Sequence, residues 1–385
     1  MGIMSSFYIG TGSLQTSQNA LNTVSHNLSN VETPGYTRQQ VLISDRKMGT
    51  NQFGSNYCEC RQVRDAFLDK STREKVSELN YYEEMTKAIN YVQDLFGSED
   101  GYKTSIENLW VSLQEIKKSD DAASIEVFNQ RLNEFNEYSK TIKKSLDSYI
   151  NQINKEKEVV VEKVNEINKQ IAKLNKDIKK IEITKENAND LKDTKNNLLD
   201  ELSKYGLVEV DLLNDNRIRF NGELVVDGTQ NFEFTSSYQT TNGTLNAFNT
   251  LTSDKMDFSL VKTENSFVNE YENLFNTLND FNNLLSPVNH ERIQETVDNV
   301  CEKVMKSINK FDDFMEEVAN YGSLYDTQKT TCESCLESAN NLRNQLLNVS
   351  SDEELAFLMK FQNAYNASSR YINVLNDMLD TLLNI

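Results

Sequence analysis

Glycine and proline are scarce in this 385-residue chain, which contains 13 glycines and 2 prolines. Average usage is about 7% glycine and about 5% proline. Neither residue occurs between Gly101 and Gly206, and these are the two residues that most often break helices. Only 38% of the residues are hydrophobic, which favours elongated, thinly cored elements over a deep globular interior. The sequence therefore predicts a mainly α fold of long antiparallel helices.

Charge and hydropathy argue against several classes of function. The formal net charge is −19 at pH 7, which disfavours nucleic acid or an anionic membrane as the ligand. No apolar run approaches the roughly 20 residues that a membrane helix needs. The N-terminal segment lacks the charged region and apolar core of a cleavable signal peptide. We therefore expect neither membrane insertion nor a cleaved signal.

Both ends of the chain carry apolar residues at seven-residue spacing, which is typical of coiled-coil helices. The N-terminal seam comprises Phe7, Leu14, Leu21, Val24, Leu28 and Val31. The C-terminal seam comprises Leu358, Phe361, Tyr365, Ile372, Leu375, Leu379 and Leu382. Because each seam needs an apolar partner, we predict that these residues form an assembly interface.

The middle of the chain changes its periodicity at Gly206. Before it, spacings of four and three residues define an apolar helical stripe: Val160, Val164, Ile167, Ile171, Leu174, Ile178 and Ile181. After it, short alternating runs at 207–212, 217–220, 223–226 and 232–234 are separated by Asn-rich and Gly-containing turns, which predicts a small antiparallel β unit. Helical periodicity resumes near Ser266 and continues, with a break at Pro287, to the end.

These patterns divide the chain into five predicted segments. An N-terminal heptad helix and an extended turn, which pairs with the C-terminus, occupy 1–60. A long-helix domain occupies 61–206 and 263–345, and the small β unit, 207–262, is inserted into it. A C-terminal heptad helix occupies 346–385.

Residues that could support catalysis or bind a metal form no recognisable site. Cys332 and Cys335 fall on one predicted helix, and the spacing of Cys58 and Cys60 is atypical for zinc. Ser351 and Glu354 match a capping box, with Ser351 as the helix cap and Glu354 reaching back to it. That match accounts for the acidic residues around Glu354 without catalysis. We predict no catalytic residue, no metal ligand and no cofactor.

The segment that ends the first heptad helix is the most specific motif in the chain. Residues 27–38 read Asn-Leu-Ser-Asn-Val-Glu-Thr-Pro-Gly-Tyr-Thr-Arg and resemble the N-terminal signature of bacterial flagellar rod, hook and hook-associated proteins. The signature positions are Asn27, Asn30, Thr33, Pro34, Gly35, Tyr36 and Arg38. Pro34 and Gly35 suit the central positions of a type II turn. The Gly-Tyr-Thr-Arg ending and the C-terminal helix are most similar to the hook–filament junction family, FlgK.

This resemblance implies a non-catalytic structural protein that joins hook to filament and permits filament assembly. It implies an extracellular place on the bacterial flagellum, reached through the type III export channel without a cleaved signal peptide. The implied partners are further copies of the chain in a helical tube, the hook protein, the second junction protein and an export chaperone of the FlgN type. The chaperone would bind the C-terminal helix. Nucleic acid and membrane insertion are not implied.

Three alternatives remain open on the sequence alone. Another axial hook or rod protein would share the N-terminal pattern, although the Asp352–Glu354 ending and the helical block 101–206 favour the junction family. A coiled-coil scaffold or signalling module would use the terminal heptads as dimer seams and leave the Pro34–Tyr36 turn without a role. A cysteine-metal enzyme would contain zinc.

Overall fold

The computed structural model describes residues 3–48, 51–97, 101–184, 187–211, 216–235, 242–252, 267–285 and 290–383. The helices within these ranges are α1 Ile3–Ser29, α2 Ala66–Phe96, α3 Tyr102–Lys118, α4 Ala122–Ile183, α5 Asn189–Leu202, α6 Thr244–Thr252, α7 Phe267–Leu284, α8 His290–Leu347 and α9 Ser351–Leu383. The strands are β1 Gln39–Met48, β2 Asn51–Gln62, β3 Val208–Val210, β4 Arg217–Phe220, β5 Glu223–Asp227 and β6 Gln230–Asn231. The fold is mainly α with a small antiparallel β unit, as predicted.

A bundle of helices holds the largest apolar core. Helix α3 presents Ile106, Leu109, Leu113 and Ile116 on one face, and all four are fully buried. These side chains belong to a core that also contains residues of α2, α4, α7 and α8. Because the apolar residues recur every three or four positions, each helix has one buried face and one solvated face. No described helix is both long enough and apolar enough to cross a membrane.

The second core lies between α4, α5 and a four-stranded antiparallel sheet in the order β3-β4-β5-β6. From the predicted stripe on α4, Val164, Ile167, Ile171 and Ile178 are buried. The spacing of this stripe is that of a coiled coil, but in the structure Val164, Ile167 and Ile171 pack in a core with residues of α5 and the sheet. The turn between β4 and β5 has positive φ at Asn221 and Gly222, the conformation that matches the twist of a two-residue hairpin.

Residues 39–62 correct the sequence prediction for the N-terminal segment. They were expected to be an extended turn, but they form an antiparallel hairpin of β1 and β2 with Gln39 opposite Gln62 and Val41 opposite Cys60. The two strands contain few alternating apolar residues, so the usual sequence signal for a strand is weak. Helix α1 packs against this hairpin.

The predicted β unit, 207–262, is also partly wrong. Its last strand is Gln230–Asn231 rather than 232–234, and α6 occupies 244–252. Helix α6 buries Ala247, Phe248 and Leu251 in a third apolar cluster with residues of α2 and α4. The predicted segment 253–262, the helix start near Ser266 and the break at Pro287 lie outside the described residues.

Candidate functional site

The two ends of the chain pack against each other as helices α1 and α9. They come very close at Gly10, where a Cβ added to the glycine would lie 2.9 Å from Cγ1 of Ile372. The buried face of α1 is made of small and polar residues together with one apolar seam residue: Thr16, Ser17, Ala20, Val24 and Asn27. Small side chains let the two helix backbones come close together.

The predicted seam residues lie along this helix pair but differ in burial. Val24 and Leu375 are buried, and Val31 is exposed. Nine are half-buried: Phe7, Leu14, Leu21, Leu28, Leu358, Phe361, Tyr365, Ile372 and Leu379. The side chain of Leu382 lies outside the described residues. Helix α9 also leaves apolar side chains exposed, namely Leu355, Phe357, Met359, Tyr371, Val374 and Met378.

The turn that follows α1 has the predicted type II form. The Tyr36 N–H donates to the Thr33 carbonyl at 3.2 Å, and Gly35 has a φ of +76°. Pro34 therefore occupies the first central position, and Gly35 occupies the one that requires a left-handed backbone. The turn is tied back to α1 through Asn30, because Thr33 Oγ1 donates to Asn30 Oδ1 at 3.2 Å and Asn30 Nδ2 donates to the His26 carbonyl of α1 at 2.9 Å.

Asn27 connects this turn to both chain ends. Its Oδ1 accepts hydrogen bonds from the Gln39 N–H at 3.0 Å and the Tyr36 hydroxyl at 2.8 Å. Its Nδ2 donates to the Gln39 carbonyl at 2.9 Å and to Glu354 Oε2 at 3.1 Å. The amide of this buried residue is thus fully used. Burial and the neighbouring carboxylates of Asp190 and Asp193 raise the pKa of Tyr36, so its hydroxyl keeps its proton.

Arg38 makes the second link to the C-terminal helix. Its Nε lies 2.9 Å from Glu354 Oε1, and its Nη1 lies 2.9 Å from Glu353 Oε2. Its backbone N–H donates to the Leu347 carbonyl at 2.9 Å. We call the group Asn27, Tyr36, Arg38, Glu353 and Glu354 the terminal joint.

The structure contradicts the predicted capping box at the start of α9. The helix cap is Ser350, whose Oγ accepts from the Glu353 N–H at 3.4 Å, and not Ser351. The Glu354 side chain does not reach back to Ser351, because its two oxygens are held by Arg38 and Asn27. The capping box is a local motif, whereas Arg38, which holds Glu354, is more than 300 residues away in the sequence. The sequence pattern around Glu354 therefore gave no sign of this partner.

A buried ionic network lies beside the terminal joint and ties it to the helical bundle. Thr37 donates through both its N–H and its hydroxyl to Asp193 of α5. Arg64 forms a two-pronged pair with Asp69 of α2, with both N–O distances 2.9 Å. We call the following residues the ionic network: Thr37, Arg64, Asp69, Arg73, Asp193, Asp200 and Arg343.

The far end of the ionic network reaches helix α8. Arg343 lies 2.8 Å from Asp69 Oδ1 and 2.6 Å from Asp200 Oδ2. Arg73 approaches the other Asp200 oxygen at 2.7 Å. The segment after the turn, α2, α5 and α8 are thus joined by ion pairs and by the hydrogen bonds of Thr37.

The pKa values of two buried carboxylates in the ionic network, Asp69 and Asp193, move in opposite directions. Burial alone would raise the pKa of Asp69, but the hydrogen bonds and charge of Arg64, followed by Arg343, hold that pKa below its ordinary value. Burial raises the pKa of Asp193, although Thr37 and Arg64 oppose the shift. Asp69 has the stronger arginine partners, which explains the difference.

Sequence reasoning missed the ionic network. Its members are scattered over two connecting segments and three helices, and a charged residue on a helix is usually solvated. One weak signal was available in α5, where Asp193 and Asp200 lie seven positions apart on one helical face. That spacing places two carboxylates on a common side but gives no information about their partners.

These groups have the chemistry of a fixed structural joint. Arginine–carboxylate pairs fix orientation through several directed bonds. Among the described residues no cluster of His, Cys, Asp and Glu could hold a metal ion. Burial raises the pKa of the Cys60, Cys301 and Cys332 thiols, which lowers their reactivity.

Comparison with known families gives three matches along the chain. Residues 89–265 match the flagellar hook-associated protein FlgK helical domain. Residues 7–37 match the flagella basal body rod protein family, and residues 346–385 match the C-terminal family of the flagellar basal body rod FlgEFG protein. The resemblance to the flagellar hook-associated family is confirmed. In this chain, the terminal joint lies where the two rod-type segments meet.

Several relatives of this chain carry the name flagellar hook-associated protein 1. The Bacillus subtilis protein is 26% identical over 247 residues, which cover 60% of this chain and 48% of the relative. The Salmonella typhimurium protein is 29% identical over 236 residues, covering 56% and 41%. The Escherichia coli protein is 27% identical over 236 residues, covering 56% and 42%. The matched part of the chain thus spans less than half the length of these hook-associated relatives.

Proposed function

We propose that this chain is a non-catalytic structural subunit of the bacterial flagellum that forms the junction between hook and filament and permits filament assembly. The observation that carries the proposal is the order of the three family matches. A hook-associated helical domain lies between rod-type terminal segments. A rod or hook protein would share those terminal segments but is not expected to carry the hook-associated helical domain.

The terminal joint supports an axial role. It fixes the end of α1 and the start of α9 to each other through Asn27, Arg38 and Glu354, and the ionic network fixes both to the bundle. Side chains that remain apolar and exposed on α9 are available to further copies of the chain, because exposed apolar surface favours association. We propose that the two seams, Phe7 to Val31 and Leu358 to Leu382, form the wall of a helical tube.

The partners follow from that position. They are other copies of the chain, the hook protein on one side and the second junction protein on the other. Before assembly, an export chaperone of the FlgN type would bind the C-terminal helix and cover its apolar face. The proposed site of action is outside the cell, after export without a cleaved signal peptide. No cofactor takes part.

Deletion of the gene tests the proposal in cells. The expected result is complete hooks without filaments, with filament protein released into the medium, because the surface to which the filament attaches is missing. A plasmid copy of the full chain restores filaments. Loss of the hooks themselves would instead indicate a rod or hook protein, and normal filaments would contradict any axial role.

A further inference from the structure

The solvent face of α4 carries a charge pattern that the terminal joint does not use. Four basic residues, Lys169, Lys173, Lys176 and Lys180, follow three acidic residues, Glu158, Glu162 and Glu166, and all seven are exposed. Their spacings of three and four place them on one side of the helix. The buried stripe Val164–Ile178 lies on the opposite side, so the charged face is free for contact.

This charged face has few partners within the chain. Among the described residues, none forms an ion pair or a hydrogen bond with the side chains of Glu158, Glu162, Lys169, Lys173 or Lys176. Lys180 pairs with Asp177 at 2.8 Å, and Glu166 accepts from Gln170.

The order of charges is unfavourable for one helix by itself. Like charges four residues apart repel, whereas alternating Glu and Lys would stabilise the helix. Here three glutamates are grouped, and four lysines are grouped after them. In a chain with a net charge of −19, such a concentrated basic segment is suited to an acidic partner surface.

We propose that the acidic half of this face binds the basic half of the same face on a second copy of the chain, with the two α4 helices parallel and displaced by 11 residues. This inference rests on the proposed function, because subunits of one tube share a common direction. A displacement of 11 residues is about 16 Å along a helix. It places Glu158 beside Lys169 and Glu162 beside Lys173, and the exposed Lys155 comes beside Glu166.

One end of this contact meets the ion pair of Asp177 and Lys180. Glu166 of the first copy comes beside Asp177 of the second, and Lys169 comes beside Lys180. Because Asp177 and Lys180 are already paired at 2.8 Å, their charges offset each other. The three contacts between opposite charges therefore decide the sign of the interaction.

An antiparallel pair fits less well. It can place Glu162 beside Lys173 and Glu166 beside Lys169, but it then brings Lys155 against Lys180 of the other copy. The parallel displaced arrangement instead gives Lys155 an acidic partner. In the parallel arrangement, the basic half of the first copy and the acidic half of the second are left for further copies. The contact can therefore continue from subunit to subunit.

Charge reversal in cells gives the first test. The variant Lys169→Glu with Lys173→Glu places glutamates against glutamates, and we expect about a tenfold fall in filaments per cell. Adding Glu158→Lys and Glu162→Lys to the same chain exchanges the two halves and should restore filaments. The control is Lys143→Glu with Lys179→Glu, an equal change of charge at exposed positions on another face of α4, which should leave filament number unchanged.

Cysteine cross-linking in isolated hook–filament structures tests the geometry. With Cys335, which is exposed, and Cys58 both replaced by serine, chains carrying Glu158→Cys and Lys169→Cys should form disulfide-linked oligomers on oxidation. Chains carrying Glu158→Cys and Lys176→Cys should not. Cross-links in the second set alone, or in neither set, would overturn the inference.

Immunogold labelling of the same cells distinguishes failure of the α4 contact from failure of the proposed junction function. Label at the hook–filament boundary, with full filament number in the Lys169→Glu, Lys173→Glu variant, would overturn the α4 contact alone. Absence of the wild-type chain from that boundary would overturn the proposed function and the contact together.

Discussion

Arg38 and Glu354 are 316 positions apart in the sequence, yet Arg38 Nε lies 2.9 Å from Glu354 Oε1. The carboxylate is almost fully buried, and its other oxygen accepts from Asn27. Because a buried charge is costly without a partner, this pair fixes the relative positions of the two chain ends. The joint therefore belongs to the folded subunit and is not created only when subunits meet.

Removal of Arg38 should destabilise the chain ends. Arg38→Ala leaves the Glu354 carboxylate with Asn27 as its remaining partner, so we expect a loss of about 2 kcal/mol in the free energy of unfolding. Glu353, whose side chain is 59% exposed, provides the control, and Glu353→Gln should change stability by less than about 0.5 kcal/mol. Urea unfolding followed by circular dichroism measures both. Equal effects of the two substitutions would contradict a special role for Glu354.

Asn27 should be even less tolerant of truncation. Asn27→Ala removes the partner of the Gln39 N–H and carbonyl, one partner of Glu354 and the acceptor of the Tyr36 hydroxyl, which keeps its contact with His26 Nδ1 at 2.9 Å. We expect a cost of about 3 kcal/mol. The matched control is Asn22→Ala on the same helix, where an exposed amide accepts only from Gln18 among the described contacts. That change should cost less than about 0.5 kcal/mol. Hydrogen exchange of the Gln39 amide gives a local readout, and unchanged protection in Asn27→Ala would disprove the assignment.

Alanine substitution at Gly35 and at Gly228 separates the cost of backbone strain from the cost of the contact with Asn197. Gly35→Ala forces an alanine to a φ of +76° and drives its Cβ into the Asn197 side chain. Gly228 has a φ of +62° with open space around the Cβ position, so Gly228→Ala carries the backbone strain alone, about 1 kcal/mol. We expect Gly35→Ala to cost at least twice as much in thermal unfolding. A similar cost for both would show that the contact with Asn197 adds nothing.

Stability at acid pH should depend on Asp69. Because its pKa lies below the ordinary 3.8, its contribution is present above that value and is lost as the pH falls through the folded-state pKa. Asp69→Asn should therefore flatten the loss of stability below about pH 4. Free energies of unfolding measured across the acid range test this, and an unchanged slope would argue against the Arg64–Asp69 pair.

Asp193 should change the pH dependence of stability in the direction opposite to Asp69. Its pKa is raised, so its contribution to stability grows as the pH falls through the folded-state pKa towards the unfolded value. Asp193→Asn removes that gain, and the free energy of unfolding, measured by urea titration at each pH, should then fall more steeply on acidification from neutral pH. A shallower fall would contradict the raised pKa.

The sequence predicted those parts of the fold that have a local period. Helical stripes such as Val164–Ile178 repeat every three or four residues, and the Pro34–Gly35 turn depends on two adjacent residues, so both were visible. The β1–β2 hairpin and α6 were missed because they are rich in polar residues. Their pairing and packing depend on elements distant in the sequence.

The candidate site was predictable only as a motif. The signature residues Asn27 and Arg38 were identified through resemblance, but their bonds to Glu354 depend on how the two ends meet in space. The ionic network has no sequence pattern, because Arg64, Asp69 and Arg343 meet only after α2 and α8 have packed. Polar side chains at such meeting points are set by tertiary geometry and not by helical period.

Electron microscopy of intact flagella, labelled with gold-conjugated antibody against residues 208–231, tests the central claim most directly. The account predicts gold confined to a short band between hook and filament. Gold along the whole hook or rod, or on no part of the flagellum, would contradict it.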